Sequence, residues 1–143
     1  MIAVDTNLLV YAHREGVPEH QSAQRALERA SRHQRGWGVA VNCVAEFWSL
    51  VTHPKAAGRP STPAEARNFL RVLVDDGGLQ IWSPGPGLGL RLLQMAGERS
   101  ISGTRIFDLQ IALTAFDNGA VEMWSHDSNF VSFPGLAVRD PLA

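Results

Sequence analysis

Apolar residues recur along this chain in two rhythms, a short one that marks strands and a longer one that marks helices. Ile2 to Asp5 alternates and ends in Asp5-Thr6-Asn7, which predicts a strand, then cap-forming residues, then a helix through Leu8, Leu9 and Tyr11. From Pro18 to about Arg32, Ala23, Ala26, Leu27 and Ala30 fall at helical spacing while Arg25, Arg29 and Arg32 share another face. That stripe reads as a solvated or partner-facing surface rather than a substrate groove. Gly36 to Val41 predicts a second strand. Asn42 is the expected cap of a helix through Val44, Phe47, Trp48 and Val51 that Pro54 stops.

Proline and glycine make Thr52 to Pro60 a loop, and Thr62-Pro63-Ala64-Glu65 has the form of a capping box that opens a helix through Phe69, Leu70 and Leu73. Leu79 to Trp82 predicts a third strand, followed by a loop over Ser83 to Gly87 and a helix carrying Leu88, Leu92, Leu93 and Met95. The pattern breaks around Gly103 to Arg105. Asp108 is expected to open a helix containing Leu109, Ile111, Ala112, Leu113, Ala115 and Phe116, closed by Asn118-Gly119. Val121 to Trp124 is a fourth strand, Ser125 to Phe130 a polar turn, and Leu136 to Arg139 a short last strand. Strands alternating with helices predict an α/β fold, a three-layer α/β/α sandwich with a mainly parallel central sheet, because parallel strands need crossovers and the helices bury both faces.

Composition narrows this further. The 143 residues, 45% of them apolar, suit one domain over 1–143. With no secretory leader and no apolar run of about 18 residues, the expectation is a soluble cytoplasmic protein with no membrane segment. The single cysteine, Cys43, excludes an internal disulfide and a multi-cysteine zinc site and reads as a core residue. Histidines 13, 20, 33, 53 and 126 show no paired ligand spacing. The net charge of −1 and pI near 6.5 speak against a uniformly basic nucleic-acid binder. A centre that collects carboxylates, however, carries part of the chain's acidity itself.

Four acids stand out. In open parallel sheets ligands bind beyond the carboxyl ends of the strands, and Asp5 and Asp127 follow strands directly. Asp108 is expected at a helix N-terminus, where the dipole favours a carboxylate, and Glu46 sits a turn inside the helix after the second strand. Taken singly, Asp5 and Asp108 also read as caps, Asp127 as a turn residue and Glu46 as a solvated position. Glu46, set among Val44, Ala45, Phe47 and Trp48, is the least comfortable of these as a solvated residue. Together the four suit a hard cation, since Mg²⁺ and Mn²⁺ prefer oxygen ligands, and such a centre can hydrolyse phosphodiesters.

The order of motifs resembles the PIN-domain family and, within it, the VapC-like toxins of bacterial toxin–antitoxin pairs. The matching stretches are Ile2 to Tyr11, Asn42 to Phe47, Phe107 to Ala112 and Ser125 to Phe130, and together they span nearly the whole chain. The resemblance implies that Asp5, Glu46, Asp108 and Asp127 are catalytic, metal-binding acids, with Thr6, Asn7 and Ser125 supporting them. It further implies an endoribonuclease that uses Mg²⁺ or Mn²⁺, an RNA substrate, a homodimer and a VapB-like antitoxin. His126, between Ser125 and Asp127, departs from the pattern and reads as a solvent-facing turn residue.

Candidate phosphate contacts are Lys55 and Arg59, in the loop after the Glu46 helix, and Arg105, just before Asp108; each also reads as ordinary surface charge. Two other classes stay open. A metal-dependent phosphatase of the haloacid dehalogenase type needs a second Asp two residues after the first, where this chain has Asn7. A non-catalytic RNA- or protein-binding module that kept the fold has no need of all four acids. The Gly85 to Gly89 stretch lacks the Gly-Lys-Ser/Thr ending of a phosphate-cradling loop and carries Pro86, which has no amide to donate.

Overall fold

In a computed structural model that describes residues 1–56 and 58–143, five parallel strands form one sheet in the order β3-β2-β1-β4-β5. The strands are β1 (Ile2–Val4), β2 (Trp37–Ala40), β3 (Gln80–Trp82), β4 (Glu122–Trp124) and β5 (Ala137–Arg139). Six helices connect them: α1 (Thr6–His13), α2 (His20–Ser31), α3 (Val41–Thr52), α4 (Pro63–Asp75), α5 (Leu88–Glu98) and α6 (Arg105–Asp117). Ala57, within the expected loop, lies outside the described residues.

The strand order follows from where the apolar residues sit. All residues of β1 and β2 are buried, so these strands take the centre, whereas β5 is exposed throughout and Ile81 of β3 is 45% exposed, as edge strands allow. Right-handed crossovers from β1 to β2 and from β2 to β3 put α1 to α4 on one face. The return from β3 past β1 to β4 puts α5 and α6 on the other. Both faces of the sheet are thereby covered, as the alternating pattern predicts, and the sheet is wholly parallel rather than mainly so.

Local chemistry accounts for the element ends. Thr62 and Glu65 exchange the two hydrogen bonds of a capping box, with Pro63 at the first helical position of α4. Gly38 fits β2 against β3 because a Cβ there would lie 2.5 Å from the Trp82 ring and 2.8 Å from the Gln80 carbonyl. Cys43 is fully buried in the core, as its apolar surroundings imply, and burial pushes its thiol far above the ordinary range. Two expected helix starts move. Ala40, not Asn42, is the N-cap of α3, and α6 begins at Arg105 after Thr104, one turn before Asp108. In both places the helix takes in residues ahead of the one whose side chain suits a cap, although Val41, Arg105 and Phe107 are exposed there.

Candidate active site

The chain leaves β1 toward β2 and comes back to β4 on the opposite side of β1, so the crevice between the carboxyl ends of β1 and β4 is a topological switch point. Asp5 follows β1 at once and caps α1, its Oδ1 accepting the Thr6 N–H at 2.8 Å. Ser125 follows β4 and is buried; its hydroxyl donates to Asp5 Oδ2 at 2.8 Å and accepts the Asp127 N–H at 3.1 Å. Asn7, one helical turn from the sheet edge, sends its amide to Ser125 Oγ at 3.2 Å and to Asp5 Oδ2 at 3.5 Å, and its Oδ1 accepts the His126 N–H at 3.3 Å. The Thr6 backbone N–H, Asn7 and Ser125 therefore all bear on Asp5 directly, and the serine hydroxyl gives its proton to Asp5 while accepting from the Asn7 amide and the Asp127 N–H.

Glu46, Asp108 and Asp127 stand around a cavity of about 410 Å³ whose other lining residues are Thr104, Arg105, Phe107 and Asn129. Glu46 projects from α3, Asp108 from the first turn of α6 and Asp127 from the turn after β4. Asp108 Oδ2 accepts the Val131 N–H at 3.3 Å, and Asp127 Oδ1 the Asn129 N–H at 2.9 Å, so each carboxylate keeps an oxygen uncommitted. The Arg105 guanidinium donates to the Asn129 carbonyl, which ties the start of α6 to the turn after β4.

The acids sense one another. Asp5 is 8% exposed, and its carboxyl is pushed up from an ordinary 3.8 to about 6, first by burial; the Ser125 and Thr6 hydrogen bonds pull it back, while the charges of Asp108 and Glu46 raise it further. Asp108 is also raised, again first by burial, with the Val131 amide and Arg105 opposing and the Asp127 and Glu46 charges adding. A buried carboxylate that feels the charges of two more is a group that a cation would relieve. The donors are all oxygen, as Mg²⁺ or Mn²⁺ prefers. As the side chains stand, no three carboxylate, imidazole or thiol groups among the described residues converge closely enough to enclose an ion. In donor chemistry the residues fit a hard cation.

Several single-residue expectations change. Asp108 caps nothing, so the cap explanation holds only for Asp5. Glu46 is exposed, and so are Val41, Ala45 and Trp48 of the same helix, so its apolar neighbours do not make a solvated glutamate uncomfortable. Its bearing on the site comes from the cavity it lines and from the charge it sets against Asp5 and Asp108. Arg105 lines the acidic cavity, but Arg59 lines a separate one with His13, His20 and Ser61 and pairs with Glu65 at 3.0 Å. Lys55 is exposed in the same loop, its N–H donating to His53 Nδ1. The arginine stripe of α2 is not simply solvated either: Arg29 donates to the Pro141 carbonyl at 3.0 Å.

His126 is partly exposed, as the sequence suggests, but it is also held by two neighbours. Its Nδ1 lies 2.9 Å from Asp140 Oδ2, and its ring meets Tyr11 edge to face. Asp140 escaped sequence reasoning because it lies 14 residues away on the far side of β5, and only strand pairing brings it back. Thr104, Phe107 and Asn129 were also missed as cavity residues, although their closeness to Asp108 and Asp127 in sequence was a usable signal.

Known proteins resemble this chain in sequence and in fold. The family model described as PIN domain matches residues 2–136. A VapC ribonuclease of Mycobacterium bovis and the ribonuclease VapC43 of Mycobacterium tuberculosis are each 30% identical over 142 residues, covering 99% of this chain and 96% of theirs. Among solved structures, VapC20 of M. tuberculosis, described as a sarcin-ricin loop cleaving toxin, superposes with a TM-score of 0.67 at 13% identity over 91% of this chain and 92% of its own. VapBC2 of Rickettsia felis, bound to a DNA fragment from its promoter, gives 0.65 at 18% identity over 97% and 98%.

Proposed function

The chain belongs to the PIN-domain family, as a VapC-type ribonuclease, and on that premise we propose that Asp5, Glu46, Asp108 and Asp127 are the residues with which it cuts RNA. One observation supports the assignment: Glu46, Asp108 and Asp127 line one cavity, and burial together with the charges of neighbouring acids holds the carboxyls of Asp5 and Asp108 above their ordinary range. A helix cap has no reason to carry the charges of two further acids.

PIN-domain ribonucleases generally depend on a divalent metal, and for this chain we take the ion to be Mg²⁺ or Mn²⁺. Asp5 and Asp108 would hold it, and Glu46 and Asp127 would complete the oxygen set directly or through water. When bound, the cation supplies a water of lowered pKa and positive charge against the scissile phosphate. Ser125 and Thr6 orient the Asp5 carboxylate, and Asn7 orients Ser125. Glu46, exposed at the rim, is placed to accept the proton of an attacking water, and Arg105 to meet the phosphate once its bond to the Asn129 carbonyl yields. Asn7 stands where a phosphatase of the dehalogenase type requires its second aspartate, and here it serves as a hydrogen-bonding support.

In its setting the protein is the toxin of a VapBC-type pair. It acts in the cytoplasm on RNA, assembles as a homodimer and is restrained by a VapB-like antitoxin. No described helix is long and apolar enough to cross a membrane, in keeping with that setting. The assay is direct: the purified protein with mixed RNA and Mn²⁺, with and without chelator. Cleavage that chelator stops and Asp5→Asn abolishes is expected; cleavage indifferent to chelator refutes the assignment.

A further inference from the structure

We propose that His126 and Asp140 form a positioning pair that sets the orientation of the Ser125–Asp127 turn, which makes residues 137–142 part of the machinery of the site. The inference rests on the reading of the acidic centre given above. Each side chain of the pair is about one-third exposed, at 34% and 33%, and the Nδ1 to Oδ2 distance is 2.9 Å. The second Asp140 oxygen accepts the Leu142 N–H at 2.9 Å, so its own backbone fixes the carboxylate before it meets the imidazole. An ionised carboxylate only accepts, which puts the proton on Nδ1 and holds the ring in one tautomer.

The segment that supplies Asp140 is itself anchored. β5 pairs with β4 through Trp124 and Arg139, and the Ser125 N–H donates to the Arg139 carbonyl at 3.0 Å. Arg29 donates to the Pro141 carbonyl and lies 5.8 Å from the Trp124 ring centroid. Tyr11, with ring centroids 5.9 Å apart, packs edge to face on the imidazole.

On the other side, the His126 peptide N–H donates to Asn7 Oδ1, and Asn7 and Ser125 lead to Asp5. Asp127 is exposed, and its hydrogen bonds are short-range ones, to Ser125 Oγ and from the Asn129 and Phe130 N–H groups. The direction of its carboxylate therefore follows the backbone between Ser125 and Asp127, which is the backbone of His126. A pair this exposed adds little to folding stability, so its consequence is orientation.

The experiment compares the full chain with H126A, D140A, the double variant, H126N and H126Q. It reads kcat and KM on an RNA substrate, and Mn²⁺ affinity of the free protein by electron paramagnetic resonance. An asparagine amide reaches where the Nδ1–H stands and a glutamine amide does not. Expected are losses of about 10- to 100-fold in kcat and in Mn²⁺ affinity for either alanine variant, with KM moved by less than about twofold. The double variant should be no worse than the singles, H126N close to wild type and H126Q as poor as H126A. Unchanged Mn²⁺ affinity and kcat in the alanine variants, losses that multiply, or H126N and H126Q that behave alike would each overturn the pair. Circular dichroism reports folding, and the H126N and H126Q comparison decides the matter if an alanine variant does not fold. A wild-type protein that neither binds Mn²⁺ nor cuts RNA overturns the reading of the acidic centre itself.

Discussion

Replacing Asp5 by asparagine should make the metal-free protein more stable while removing its activity. The Asp5 carboxyl is buried and pushed up from 3.8 to about 6, so keeping it ionised in the folded, metal-free chain costs about 3 kcal/mol. Asparagine is as good an N-cap as aspartate, and its carbonyl can keep the Thr6 N–H. It cannot accept the Ser125 hydroxyl proton in the same way, a loss of about 1 kcal/mol. A net gain of about 1–2 kcal/mol remains, which at this chain length raises the melting temperature by roughly 3–6 °C.

The pH dependence sharpens the test. Because the folded-state value lies above the unfolded one, the folded chain holds this proton more tightly. The stability Asp5 contributes is fully present below pH 3.8 and is lost as pH rises through about 6. Urea denaturation in chelator from pH 4 to 7.5 should therefore show the advantage of Asp5→Asn growing across that window, and saturating Mn²⁺ at pH 7.5 should stabilise the wild type and not the variant. Parallel stability profiles, or a variant that melts at or below wild type in chelator at pH 7.5, would refute the reasoning.

Two further outcomes follow from other residues. Mn²⁺ at about 100 times its Kd should stabilise the wild type by about 2.7 kcal/mol, and Asp108→Asn should shrink the accompanying rise in melting temperature; an undiminished rise removes Asp108 from the centre. Gly38→Ala should cost about 1–3 kcal/mol in urea denaturation, since the new methyl meets the Trp82 ring and the Gln80 carbonyl and must prise β3 from β2, and a change below about 0.5 kcal/mol would show that β3 gives way freely.

What the amino-acid order determined by itself was local and periodic. Periodicity set five strands and six helices in sequence, the Thr62–Glu65 pattern stood for a capping box that forms, and Asp5 and Asp127 could be recognised as residues that follow strands. These are effects of near neighbours on one another, so they survive without the rest of the fold. Helix starts were less legible: cap chemistry pointed to Asn42 and Asp108, and both helices begin ahead of those residues.

Tertiary structure decided everything that depends on distance across the sheet. Which acid lies deepest is settled by β1 being central, which buries Asp5 and leaves Glu46 and Asp127 at the rim. Arg59 and Arg105 look alike as loop cations, yet one faces Glu65 at a separate cavity and the other the acidic one. His126 looks like a polar turn residue until β5 pairs with β4 and brings Asp140 to within 2.9 Å of it. A chain can encode the residue types of a site in its order, but their mutual charge, burial and orientation exist only once non-local pairing has placed them together.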